Sequence, residues 1–193
     1  MPGPVLRADT LFRKEPIVVR IQIIGGSGTG KSTLGAFIGQ AEQIPWIDTD
    51  HYLWTDTTFT EKRDVSERFS MYEADLMSYN DYIVSGSVFA WHPDGFINRD
   101  LLVFLSRDES VRMERLIARE AARYPDFTGS NEFLDWCRTY HTATDPSMIG
   151  TFAEDQYQMD RSISPILIVD ASLSTQLQYQ KIIETYDRLS LHP

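Results

Sequence analysis

The chain has 193 residues, enough for a single domain with a substantial hydrophobic core. Its 18 Lys and Arg face 28 Asp and Glu, and a net charge of −10 weighs against non-specific binding to nucleic acid or to an anionic membrane. One cysteine, Cys137, excludes an internal disulfide and a cysteine-built zinc site, and the four histidines are too scattered for metal-ligand spacing.

Residues 1–16 mix Pro, Gly, Arg, Lys and Glu with little periodicity and lack the apolar core of a signal peptide. They read as an N-terminal extension to a domain over 17–193, with Leu6, Leu11 and Phe12 able to dock on it. No later apolar run approaches membrane length, so a reduced cytoplasmic setting is expected.

The apolar, β-branched run from Ile17 to Ile24 predicts a buried strand. Leu34, Phe37, Ile38 and Ala41 then fall on one face of a helix. The turn between them fits G-x-x-x-x-G-K-[ST] at Gly25, Gly30, Lys31 and Ser32. A chain of phosphates needs many donors in a small space, and glycines let backbone N–H groups wrap that closely. The N-terminus of the following helix adds free N–H groups and the positive end of its dipole. Gly25, Gly26, Ser27, Gly28, Thr29, Gly30, Lys31, Ser32 and Thr33 are therefore the expected nucleoside-triphosphate cradle. Lys31 would meet the β- and γ-phosphates and the Ser32 hydroxyl would coordinate magnesium, whereas Thr33 comes one residue too late for the metal.

Ile44 to Ile47 reads as a short second strand, with Asp48 and Asp50 following at i and i+2. Carboxylates at a strand's carboxyl end can bind Mg²⁺ or its waters, or take a proton from a substrate hydroxyl. They can equally build an Asx turn or cap a helix. His51 and Trp54 are a surface residue and a core aromatic, or pocket lining. Residues 61–80 predict a helix whose stripe of Val65, Phe69, Tyr72, Leu76 and Tyr79 should pack into the core.

Tyr82 to Ser85 is the third predicted strand. The loop from Gly86 to Gly95, with Phe89 and Trp91, is a candidate wall for an acceptor site. Arg99 is either an anion clamp or a surface arginine. Leu101 to Leu105 reads as a central parallel strand and ends in Ser106, where a metal-ordering Asp of the Walker-B type would stand. Over 108–124, a helix carries Arg112, Arg115, Arg119 and Arg123 within a stripe about 80° wide. Arginines on one face can clamp a transferring phosphoryl group, or pair with Glu109, Glu114 and Glu120. Arg115 and Arg119 are the candidates for the clamp.

After the break at Tyr124 to Ser130, a short helix repeats Phe133, Trp136, Cys137 and Tyr140, with Cys137 in the core. A lid is expected at about 120–145. No element is assigned over 142–164, where Arg161 is a further candidate for the phosphates. Pro165 to Val169 reads as the fifth strand, and a last helix presents Tyr179, Ile182, Ile183, Tyr186 and Leu189. Strands alternating with helices predict a three-layer α/β domain around a parallel sheet.

On four features the chain resembles the P-loop kinases of the adenylate kinase, shikimate kinase and uridine kinase group. They are the Gly25–Ser32 loop, Ile47-Asp48-Thr49-Asp50, the Arg115/Arg119 helix after an apolar strand, and Ile168-Val169-Asp170-Ala171. The Asp-x-Asp and the tryptophan-bearing loop resemble adenylate-kinase-like proteins, some called topology-modulation proteins. The chain departs from adenylate kinase itself in lacking its nucleoside-monophosphate signature and in a short lid. The resemblance implies strand order 2-3-1-4-5, ATP and Mg²⁺ as cofactors, and a small-molecule acceptor, a nucleoside or nucleoside monophosphate among them. It also implies Lys31, Asp48, Asp50, Arg115 and Arg119 as catalytic residues, and Ser32, Asp48 and Asp50 at the metal. A nucleotide-binding regulator or slow NTPase is the alternative; Ser106 is compatible with it, and the aspartate pair and the arginine stripe speak against it. A nucleic-acid-processing ATPase fits the acidic charge poorly.

Overall fold

The computed structural model describes residues 19–55, 61–89, 91, 92, 94 and 99–190. The extension over 1–16, Ile17 and Val18 lie outside the described residues, as do Ala90, Pro93 and Gly95 of the candidate acceptor loop.

Five strands make one parallel sheet: β1 (Arg20–Ile24), β2 (Trp46–Asp48), β3 (Tyr82–Ser85), β4 (Leu101–Ser106) and β5 (Ile166–Asp170). Their order is 2-3-1-4-5, as the resemblance implies. β1 lies at the centre, with Ile21 in register with Ile83 of β3 on one side and with Leu101 of β4 on the other. Ile21, Ile23, Val103 and Leu105 are inaccessible to solvent and face one way. Ile24, Leu102 and Phe104 face the other. That two-sided burial is why these strands read as unbroken apolar runs.

The first face is covered by α1 (Lys31–Glu42) and α7 (Thr175–Ser190), through Leu34, Ile38, Ile182 and Tyr186. The second is covered by α6 (Phe152–Arg161), which brings Phe152 and Met159 onto Ile24 and Phe104. This helix lies in the stretch for which the sequence assigned nothing. Beside it stand α4 (Glu109–Arg123) and α5 (Glu132–Arg138), packed on each other through Leu116, Leu134 and Cys137. Asp108 caps α4, its carboxylate accepting from the N–H groups of Ser110 and Val111.

Between β2 and β3 come α2 (Asp50–Leu53) and α3 (Val65–Ser78). The expected core stripe of α3 is corrected here: Tyr72 is buried, but Val65, Phe69 and Tyr79 are 50%, 43% and 42% exposed. α3 lies on the flank of the sheet and touches the interior only through the Tyr52, Tyr72, Tyr82 and Val88 cluster. Phe69 on its outer side packs on His92, with ring centres 4.3 Å apart. No described helix is long and apolar enough to cross a membrane.

Candidate active site

The site is built at the carboxyl ends of β1, β2 and β3. β1 stops at Ile24 and the chain turns back through Gly25 to Gly30. Gly25, Gly28 and Gly30 have φ of 135°, 87° and 106°. Gly25 also lacks room for a side chain, since a Cβ would lie 2.6 Å from the Leu105 carbonyl oxygen. The Gly26 carbonyl closes the turn, accepting from Thr29 N at 3.2 Å and Thr29 Oγ1 at 2.9 Å. Helix α1 starts immediately after Gly30, so its first N–H groups open into the concavity. Lys31 Nζ folds back to donate to the same Gly26 carbonyl at 3.2 Å.

The loop is fastened from behind by side chains the sequence did not place there. Arg112 is 1% exposed and donates to Ser27 O at 2.8 Å, Cys137 O at 2.7 Å and both Glu109 oxygens at 2.7 Å. Its guanidinium also stacks over the Tyr140 ring, 4.7 Å from its centre. Arg112 is thus a strap between loop, α4 and α5. The Tyr140 ring packs on Gly26, and its hydroxyl donates to Asp155 Oδ2 at 2.7 Å.

Asp48 is the last residue of β2 and Asp50 opens α2. Thr49 N donates to Ser85 O at 3.0 Å, holding this turn to the end of β3. Gly86 has φ 103° and passes so close that a Cβ would lie 2.0 Å from Thr49 Oγ1. Asp48 Oδ1 accepts from Asp50 N at 3.1 Å, an Asx turn that leads into α2. The local role and the candidate chemical role therefore share one residue. Asp50 is open to water yet ringed by protein. That burial raises its proton affinity, helped by the Asp48 charge and opposed by Lys31 and Arg119. Asp50, Asp48, Lys31 and Arg119 thus share one electrostatic neighbourhood.

The arginine stripe divides. Arg119 is half exposed, near Phe133 and Glu120, and its field reaches Asp50. Arg115 instead lies beside Arg107, toward the ends of β4 and β5; burial and the Arg107 charge lower its proton affinity. Arg107 donates to the Ala171 carbonyl there. Arg123 sits over the Tyr124 ring. Arg161 lies over the Tyr157 ring. Arg99 is buried rather than superficial, and burial lowers its pKa to about 10. Trp91 packs on Tyr52 and Tyr72, and Phe89 on Tyr157. Trp54 is covered by Lys62, and His51 is exposed against Tyr52.

Two acids of α6, Glu154 and Asp155, were not foreseen; they are 1% and 4% exposed. Glu154 accepts from Ser87 Oγ and Gly150 N, both at 2.7 Å. Burial raises the proton affinity of both acids and the Lys31 charge lowers it. Acids facing inward from a helix break its amphipathic pattern, which is why α6 carries no clear periodic signal.

Ser32, Asp48 and Asp50 offer hard oxygens, and no described group of three or more His, Cys, Asp or Glu could hold an ion alone.

These features define the class: a P-loop kinase fold, a five-stranded parallel sheet in order 2-3-1-4-5 with its glycine-rich loop after β1. The fold is similar to gluconokinase from Sinorhizobium meliloti 1021, at 18% identity and TM-score 0.54 over 89% of this chain and 93% of that one. It is also similar to shikimate kinase from Bacteroides thetaiotaomicron (20% identity, TM-score 0.52, 88% and 98% covered). Deoxyadenosine kinase from M. mycoides gives 15% identity and TM-score 0.52 over 87% and 98%. No family model matches the chain. In sequence it is 32% identical over 172 residues to uncharacterized protein YqaC of Bacillus subtilis (strain 168), covering 85% of this chain and 95% of that protein. The chain belongs to the YqaC family.

Proposed function

We propose that the protein is an ATP-dependent phosphotransferase that moves the γ-phosphoryl group of MgATP to a hydroxyl of a small molecule. A nucleoside or nucleoside monophosphate is among the acceptors that fit. The observation that carries this is Asp50, a carboxylate within the fields of both Lys31 and Arg119 at the mouth of the phosphate loop. A loop that only held a nucleotide would need neither the acid nor the arginine.

In this reading the N–H groups of Gly26 to Ser32 and Lys31 bind the donor phosphates. Ser32 and Asp48 would hold magnesium or its waters, and the cation would supply positive charge to offset that of the phosphates. Asp50 orients the acceptor hydroxyl and takes its proton as the new O–P bond forms and the bond to the β-phosphate oxygen breaks. Arg119 meets the charge that spreads over the transferring group, and Arg115 lines the donor from the side of β4 and β5. Such a site works by position and charge.

The domain in this reading is 17–193, with 1–16 as an extension. A lid within 120–145 has its moving part at the turn 124–131, because Arg112 ties Cys137 to Ser27 of the phosphate loop and the Tyr140 ring packs on Gly26. The partner is a small molecule, not nucleic acid or membrane, and the setting is cytoplasmic. The test is steady-state ATP turnover with Lys31→Ala. The variant should lose at least about a hundredfold in rate, the loss typical when a donor to developing charge is removed. Unchanged turnover would overturn the mechanism.

A further inference from the structure

Glu154 is a buried acid that has no part in the transfer proposed above, yet both of its oxygens are engaged. Oε1 accepts from the Ser87 hydroxyl and Oε2 from the Gly150 N–H, each at 2.7 Å. Ser87 is a junction in its own right. Its oxygen accepts from Gln158 Nε2 at 2.9 Å and from Phe89 N at 3.2 Å. The Phe89 ring meets Tyr157 edge-on, with ring centres 5.1 Å apart. Glu154, Tyr157 and Gln158 stand at i, i+3 and i+4 on one face of α6, and that face grips the start of the loop after β3.

The grip falls beside the turn that carries Asp50. Gly86, immediately before Ser87, donates its N–H to Ile23 O of β1 at 2.8 Å and accepts from the Gln22 amide. Gly86 also lies against Thr49 Oγ1, and Thr49 N donates to Ser85 O at 3.0 Å. Gly86 is thus held by β1 and, through Ser87, by α6, and the Thr49–Asp50 turn rests on it. Glu154 ties this junction to Gly150, which is pressed so closely on α5 that a Cβ would lie 2.4 Å from the Trp136 ring. The Ser87 hydroxyl has one proton to give, and the carboxylate takes it. Gln158 Oε1 is left buried with no hydrogen-bond partner among the described residues. The arrangement favours the stronger, charge-assisted bond over complete pairing.

We propose that Glu154 is a positioning residue for the transfer: by fixing Ser87 it holds Gly86 against Thr49, and so holds the turn on which Asp50 stands. Its consequence for turnover rests on the phosphotransferase reading; its hold on the turn does not.

The test has two arms, both on the full chain. The first needs no acceptor. Amide hydrogen exchange followed by NMR reads Thr49 and Tyr52, which bracket Asp50 and whose N–H groups are bonded to Ser85 O and Thr49 O. Ser87→Ala removes only the hydroxyl. It should speed exchange at Thr49 and Tyr52 at least about fivefold and leave Thr29 and Leu34, at the phosphate loop, within about twofold. Glu154→Leu should do the same. Glu154→Gln should not, because its amide oxygen can accept from Gly150 while its NH2 donates to Ser87, whose proton then serves a turned Gln158 amide. The second arm is MgATP turnover with adenosine, AMP, shikimate and gluconate offered in turn. With the one that stimulates most, Ser87→Ala and Glu154→Leu should lower kcat/KM for the acceptor at least about tenfold, with KM for ATP within about twofold. Glu154→Gln should recover most of that loss. Unchanged exchange at Thr49 and Tyr52, equal acceleration at Thr29, or equal losses toward acceptor and ATP overturns the proposal while leaving the nucleotide site intact. Stimulation by none of these compounds overturns the phosphotransferase reading, and exchange at Thr49 and Tyr52 then still decides whether Glu154 holds the turn.

Discussion

Arg112 and Arg119 sit two helical turns apart on one stripe of α4, and they do different things. Arg112 is sealed beneath Tyr140 with four hydrogen bonds to Ser27, Cys137 and Glu109. Arg119 is half exposed and acts on Asp50. Replacing Arg112 by Ala leaves two carbonyls and a carboxylate without their donor, each worth about 1 kcal/mol. The expected cost is about 3 kcal/mol, seen as a fall of roughly 6–12 °C in thermal midpoint. Arg119→Ala should leave that midpoint nearly unchanged and lower turnover at least tenfold. The sequence supplied the stripe but could not divide it, because the partners that distinguish the two arginines arrive from the phosphate loop, α5 and α2. Asp155 was illegible for a similar reason, its partner Tyr140 lying beyond α5. Its raised pKa has a signed consequence. The folded chain holds this proton between pH 3.8 and about 7, where the unfolded chain has released it. Stability from this group therefore falls as pH rises through that window. Asp155→Asn removes the fall, so its thermal midpoint should gain on the wild type between pH 5 and pH 8.

At the scale of elements, the site depends on how the ends of β2 and β3 meet. Gly86, at φ 103°, lets Thr49 lie against β3 and so sets where Asp48 and Asp50 stand. Gly86→Ala forces that turn outward without touching the phosphate loop. Catalytic turnover should fall at least tenfold, while nucleotide affinity, measured by calorimetry, stays within about twofold. Equal losses in both would show that the two strand ends do not act independently of the loop. The strands that form the centre of the sheet were legible because both faces are buried, and β4 runs Leu101 to Leu105 without a polar residue. Helix α6 was illegible because its inward face carries Glu154, Asp155 and Gln158 beside Phe152 and Met159. The stripe on α3 misled in the opposite direction. Helical period shows which residues share a face but not whether anything covers it, and much of this face is open.

At the scale of the molecule, strand order places the loop of β1 between the aspartates after β2 and the arginines of α4, so donor and acceptor can meet above the sheet. The chain carries a net charge of −10, so a field that would draw in nucleotide phosphates has to be local to Lys31 and the loop. Chelating divalent cations should abolish turnover, and added magnesium should restore it. The architecture was legible because the glycine-rich motif fixes a strand, a turn and a helix together, whereas the acceptor depends on a cleft formed by segments far apart in the chain. The most direct measurement is therefore ATP consumption with magnesium across nucleosides, nucleoside monophosphates, shikimate-like acids and sugar acids. A kinase predicts at least a hundredfold stimulation by one acceptor, lost in Asp50→Asn. Tight ATP binding with the same slow hydrolysis whatever acceptor is present would contradict it and favour a nucleotide-binding regulator.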